Sequence, residues 1–177
     1  MSTPDKQPLV MLSGLAADWD PEFLGCLQES HEPIPIETSG ATAHEVLERL
    51  DELGLQDTAI TGWSTGGFLA QQVAELQPGR VLALVLLATD GGGPKAARAD
   101  PGALAAPAGW YETPQPGGSI PVLVAHGNDD TVIPAVNADK LAQKWPAARV
   151  ERFPGCGHDL TAKAPGELAA VIRSFLS

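Results

Sequence analysis

Three short segments hold the residue types and spacings that can do chemistry. The first is Thr61-Gly62-Trp63-Ser64-Thr65-Gly66-Gly67, which follows an apolar strand-like run and opens a helical pattern. Gly-x-Ser-x-Gly in that setting is the pattern of a nucleophile elbow, a strained strand-to-helix turn that presents a serine hydroxyl. A serine hydroxyl needs a base to take its proton, and the base needs an acid to orient it. Candidates stand in the two later segments, His126-Gly127-Asn128-Asp129-Asp130-Thr131-Val132-Ile133-Pro134 and Gly155-Cys156-Gly157-His158. The bland reading of the first segment is a Gly-rich turn that binds nothing, or one that binds phosphate. Where a phosphate loop wants a lysine, Phe68 follows the second Gly.

These segments must be carried by elements that bring them together. Apolar runs at 8–12, 33–37, 58–61, 81–88, 120–125 and 149–153 predict strands. The run 81–88 has no polar alternation, as expected of a strand covered on both faces in a parallel sheet. Between them, 42–53 places Ala43, Val46, Leu47, Leu50 and Leu53 on one helical face, with Thr42 and Glu45 in a capping-box pattern. Leu168, Val171, Ile172 and Phe175 repeat at i, i+3, i+4 and i+7 in a last helix, with Pro165 and Glu167 near its start. Stretches 21–29, 65–77 and 135–145 predict further helices. This alternation implies an α/β three-layer sandwich: a mainly parallel sheet of about six strands with helices on both faces. Parallel strands end on one edge, so the loops carrying Ser64, the 126–134 segment and His158 are expected to converge on one crevice.

The 177 residues fit one domain, 1–177, with no repeat. Segment 90–119 breaks the rhythm with seven Gly and five Pro in 30 residues, and reads as a reduced lid or a surface excursion. Eleven Lys+Arg against 22 Asp+Glu leave a formal charge of −11, which disfavours nucleic acid and anionic membrane as partners. No apolar run is long enough to span a membrane and no leader pattern is visible, so a cytoplasmic location is expected. Cys26 and Cys156 are too few for a disulfide framework, and Cys156 reads as an inert buried thiol. His31 and His44 are expected at the surface, and His126 is expected to stabilise its own strand end. Asp90-Gly91-Gly92-Gly93-Pro94-Lys95 reads as a hinge rather than a phosphate cradle, because Pro94 removes a backbone donor. Trp63 and the Trp110-Tyr111 pair are either walls of an apolar pocket or ordinary packing.

The chain resembles the α/β-hydrolase family. The resemblance rests on Leu12-Ser13-Gly14-Leu15, Gly62-Trp63-Ser64-Thr65-Gly66-Gly67, His126-Gly127-x-x-Asp130-x-x-Ile133-Pro134 and Gly155-x-Gly157-His158, in that order. It implies Ser64 as nucleophile, His158 as general base and then acid, and Asp130 as the orienting carboxylate. The backbone N–H groups of Leu15 and Thr65 would form the oxyanion hole. Asp130 is preferred over Asp129 on the family's spacing from Gly127 and Pro134; Asp90 is a second rival, since some members place the acid after that strand.

Departures accompany these matches. Relatives usually begin with two more strands, so six are expected rather than eight. Ser13 stands where the family usually has His, and the usual cap has shrunk to the segment 90–119. The expected function is hydrolysis of small carboxylic esters or thioesters through an acyl-enzyme on Ser64, with no metal or organic cofactor. The alternative is a non-catalytic member of the fold that binds a small ligand. An open, uncapped face is expected to allow weak self-association.

Overall fold

The apolar runs at 9–12, 84–87 and 122–125 have no side that tolerates water, so each must be covered twice. In the computed structural model, which describes residues 6–13, 19–92 and 120–177, they lie side by side in one sheet. The strands are β1 (Gln7–Ser13), β2 (His31–Glu37), β3 (Thr58–Trp63), β4 (Val81–Leu87), β5 (Val122–Gly127) and β6 (Arg149–Phe153). Their order is β2-β1-β3-β4-β5-β6, and every neighbouring pair is parallel. The six expected strands are all present, and the sheet is wholly rather than mainly parallel.

Side chains alternate across the strands, and this alternation divides the core in two. Val10, Leu12, Ile60, Leu84, Leu86 and Val124 face α2 (Ala43–Glu52), α3 (Thr65–Leu76) and α4 (Val136–Lys144). Leu9, Met11, Val85, Leu87, Leu123 and Ala125 face α1 (Pro21–Leu27), the short α5 (Leu160–Lys163) and α6 (Pro165–Leu176). Local signals set the helix starts. Asp20 caps α1 by accepting from the amides of Glu22 and Phe23 at 2.9 and 3.0 Å. The Thr42 amide donates to Glu45 Oε2 at 2.7 Å and the Glu45 amide returns to Thr42 Oγ1 at 3.3 Å, the reciprocal box expected from the sequence.

Two expectations need adjusting. β2 begins at His31, two residues before the apolar run, because pairing with Gln7 in β1 extends it. His31 is therefore buried within a strand rather than exposed, whereas His44 does lie at the surface of α2. The lid segment 90–119 lies outside the described residues from 93 onward.

From β1 the chain steps outward to β2, then returns past β1 to β3. The connections therefore diverge between β1 and β3, and the crevice beyond their C-terminal ends is where open α/β sheets bind ligands. Ser64 directly follows β3 at that point.

Candidate active site

The turn at Ser64 is possible because of its small neighbours. Ser64 has φ 54° and ψ −120°, a conformation that L residues adopt only under compulsion. A Cβ on Gly66 would lie 2.1 Å from the Leu12 carbonyl oxygen, and one on Gly62 would lie 2.5 Å from that of Gly66. Only glycine lets helix α3 start this close to β1 and β3. The turn is then locked from outside: the Ser64 amide donates to the Leu87 carbonyl at 3.0 Å, and Thr89 Oγ1 donates to the Ser64 carbonyl at 2.7 Å.

Ser64 occupies the position before the first turn of α3, where a serine side chain would ordinarily accept from the helix amides. It makes no such cap. Its hydroxyl instead donates to His158 Nε2 at 3.0 Å, and His158 Nδ1 donates to Asp130 Oδ2 at 2.9 Å. Three residues from the ends of β3, β5 and β6 thus form one hydrogen-bonded line. Of the expected oxyanion donors, Thr65 begins α3, where the first amides have no intrahelical partner. Leu15 lies outside the described residues. Ser13, the last described residue before it, has its carbonyl held by the Thr38 hydroxyl at 2.7 Å and the Thr38 amide at 3.1 Å.

The loops bearing Asp130 and His158 touch because Gly127 has no side chain. A Cβ there would lie 2.3 Å from the carbonyl oxygens of both Cys156 and Gly157. Asp130 is buried and fully engaged: Oδ1 accepts from the amides of Val132 and Ile133, each at 2.8 Å, and Oδ2 from His158. Burial acts to raise its pKa. Hydrogen bonds from His126, His158 and the Ile133 amide outweigh that and hold the carboxyl well below the ordinary carboxylate range. Its two rivals are placed otherwise. Asp129 is exposed, and Asp90 Oδ1 accepts from the Gly92 amide at 2.7 Å within its own turn.

Two contacts were not anticipated from the sequence. Trp63 packs against the core on the α1/α6 side of the sheet, and in addition its Nε1 donates to the His158 carbonyl at 3.1 Å, with its ring 5.8 Å from the imidazole. Trp19 backs Trp63 at 5.9 Å between ring centroids. The second is His126, whose Nε2 lies 2.7 Å from the Ile133 carbonyl oxygen and 3.3 Å from Asp130 Oδ2. Its expected role at its own strand end is real but incomplete, and the four-residue spacing to Asp130 across a tight turn was the available signal.

Comparison with known proteins agrees with this architecture. A family profile described as the alpha/beta hydrolase fold matches residues 23–115 and 104–165. The chain belongs to that family. Among curated proteins, this α/β hydrolase is 50% identical over 40 residues to the pimeloyl-[acyl-carrier protein] methyl ester esterase of Nitrosomonas europaea. That match covers 23% of the chain and spans 16% of the curated relative's length. Among solved structures, a bacterial membrane phospholipase A superposes with a TM-score of 0.80 at 19% identity, covering 98% of this chain and 79% of the other. A hydrolase from Pseudomonas aeruginosa gives 0.77 at 22% identity, covering 100% and 92%. At these identities the superpositions establish the fold.

Proposed function

We propose that this α/β hydrolase is a serine hydrolase of small carboxylic esters or thioesters, working through an acyl-enzyme on Ser64. The observation that carries the reading is the unbroken line from Asp130 Oδ2 to His158 Nδ1 and from His158 Nε2 to Ser64 Oγ, at 2.9 and 3.0 Å. Those distances are within reach for proton transfer in the ground state. Ser64 Oγ attacks the carbonyl carbon as His158 Nε2 takes its proton, and Asp130 holds the ring in the tautomer with its proton on Nδ1. The tetrahedral oxyanion is held by the Thr65 amide, with the Leu15 amide as second donor, and the N-terminus of α3 favours its charge. His158 then protonates the departing alkoxide or thiolate. The same imidazole activates water, which cleaves the acyl–Ser64 bond and releases the acid.

The ester preference draws support from the 40-residue likeness to a methyl ester esterase. A serine, where dehalogenase-type chemistry would need a carboxylate nucleophile, supports it as well. No helix among the described residues is long and apolar enough to cross a membrane, and we read the chain as cytoplasmic and acting on small molecules. The test is fluorophosphonate labelling of wild type and Ser64→Ala beside hydrolysis of p-nitrophenyl acetate and butyrate. Both signals should vanish in the variant. A folded wild type that does not label would instead favour the ligand-binding member of the fold.

A further inference from the structure

His126 is wholly buried near the end of β5, four residues before Asp130. A histidine there is an expensive way to fill space, since its ring nitrogens must find partners or lose hydration. Nε2 lies 2.7 Å from the Ile133 carbonyl oxygen, which can only accept, so Nε2 carries a proton. Asp130 Oδ2 lies 3.3 Å from the same nitrogen. Nδ1 is buried without a hydrogen-bond partner among the described residues, which fits a neutral ring used for its Nε2–H alone. Asp130 Oδ2 is therefore approached by two imidazoles, the partly exposed His158 at 2.9 Å and the wholly buried His126 at 3.3 Å.

We propose that His126 is a positioning residue for the reaction, its Nε2–H clamping the Ile133 carbonyl and Asp130 Oδ2 together. This rests on the serine-hydrolase reading above. The clamp ties the Ile133 carbonyl at the end of the turn to Oδ2, while Oδ1 is held by the Val132 and Ile133 amides, so both carboxylate oxygens are restrained. It also draws off part of the negative charge that Oδ2 would otherwise offer wholly to His158. Without His126, the carboxylate would be looser in orientation yet more strongly attracted to a protonated His158. Turnover should then fall while the imidazolium becomes harder to deprotonate.

The surrounding ionisable groups do not substitute for it. Arg152, opposite His126 in register on β6, donates to the Ala135 carbonyl and to Asp139 of α4, each at 2.7 Å. Asp159 caps α5 through the Ala162 amide, Asp129 is exposed, and Cys156 sits in the neighbouring loop with its amide directed at the Phe153 carbonyl.

Three variants test the clamp: His126→Phe, which keeps the ring and removes the donor; His126→Gln, whose Nε2 can take the place of the imidazole Nε2; and His126→Asn, whose amide is too short to do so. Each is assayed for thermal unfolding, kcat and KM on p-nitrophenyl acetate, the pH–rate profile, and the rate of fluorophosphonate labelling. Loss of an outer hydrogen bond to a reacting group typically costs about 10–100-fold. His126→Phe should lose about that much in kcat with KM nearly unchanged, and its acid limb should move to higher pH. His126→Gln should recover most of both, and His126→Asn should not. If His126→Phe fails to fold, the comparison of Gln with Asn still decides. A Gln variant as impaired as Asn, or a folded Phe variant with wild-type kcat and an unmoved acid limb, overturns the proposal while the hydrolase reading stands. A wild type that does not label overturns the reading beneath it.

Discussion

At Ser64 the backbone and the side chain serve different ends. The backbone is held at positive φ by Leu87 and Thr89, and the hydroxyl gives up a helix cap in order to meet His158. Ser64→Ala keeps the same Cβ and loses only the hydroxyl, so unfolding temperature should change little. On the proposed mechanism, ester turnover should drop at least about a thousandfold. Gly66 has the opposite profile. Gly66→Ala forces a methyl against the Leu12 carbonyl at 2.1 Å, and α3 must move or the turn must open. It should cost on the order of 3 kcal/mol, read by urea unfolding, with activity lost through displacement of Ser64.

Element ends and edges carry a second set of consequences. The Thr42–Glu45 box is legible in the sequence because it needs only two residues three apart, and it forms as read. Thr42→Ala should lower stability by about 1 kcal/mol without touching turnover. The outer edge of β2 is a subtler case. The Thr38 amide faces β1, so by alternation those of residues 36 and 34 do too, and positions 35 and 33 face outward. The two central outward positions are proline, and neither offers a donor to an incoming strand, leaving only His31 and Glu37 at the ends. Strand addition along the middle of this edge is thereby disfavoured. The double replacement Pro33→Thr, Pro35→Thr should raise the mass seen by light scattering as concentration increases, relative to wild type.

For the whole molecule, acid is the sensitive direction. Asp130 has a folded pKa below its ordinary value of 3.8, so its contribution to stability is complete above that value and fades as pH falls through and below it. His31 behaves alike in sign for another reason. Burial lowers its pKa from 6.5, so the unfolded chain takes up the proton first, and stability declines as pH drops below about 6.5. Denaturant unfolding should accordingly show stability falling in two stages, one setting in below about pH 6.5 and a second from about pH 3.8 downward. His31→Gln should remove the upper stage, and Asp130→Asn should flatten the lower one. With 22 acidic against 11 basic residues, the overall charge of −11 shrinks over the same range, which weakens self-repulsion but does not replace the lost Asp130 bonds.

Periodicity and loop chemistry were enough to read six strands, the helices between them and the order in which Ser64, Asp130 and His158 follow their strands. Those features depend on neighbours within a few residues, so they are written locally. Asp130 is preferred over Asp129 and Asp90 only through the family's spacing from Gly127 and Pro134, since local chemistry favours none of the three. The carboxylate that the tertiary structure brings to His158 is Asp130, buried where Gly127 lets two loops touch. The burial of His31, the hold of Trp63 on His158 and the approach of His126 to Asp130 also arise across strand pairings or turns. Contacts of that kind leave no period in the chain, because they are fixed by how elements pack rather than by what each element is.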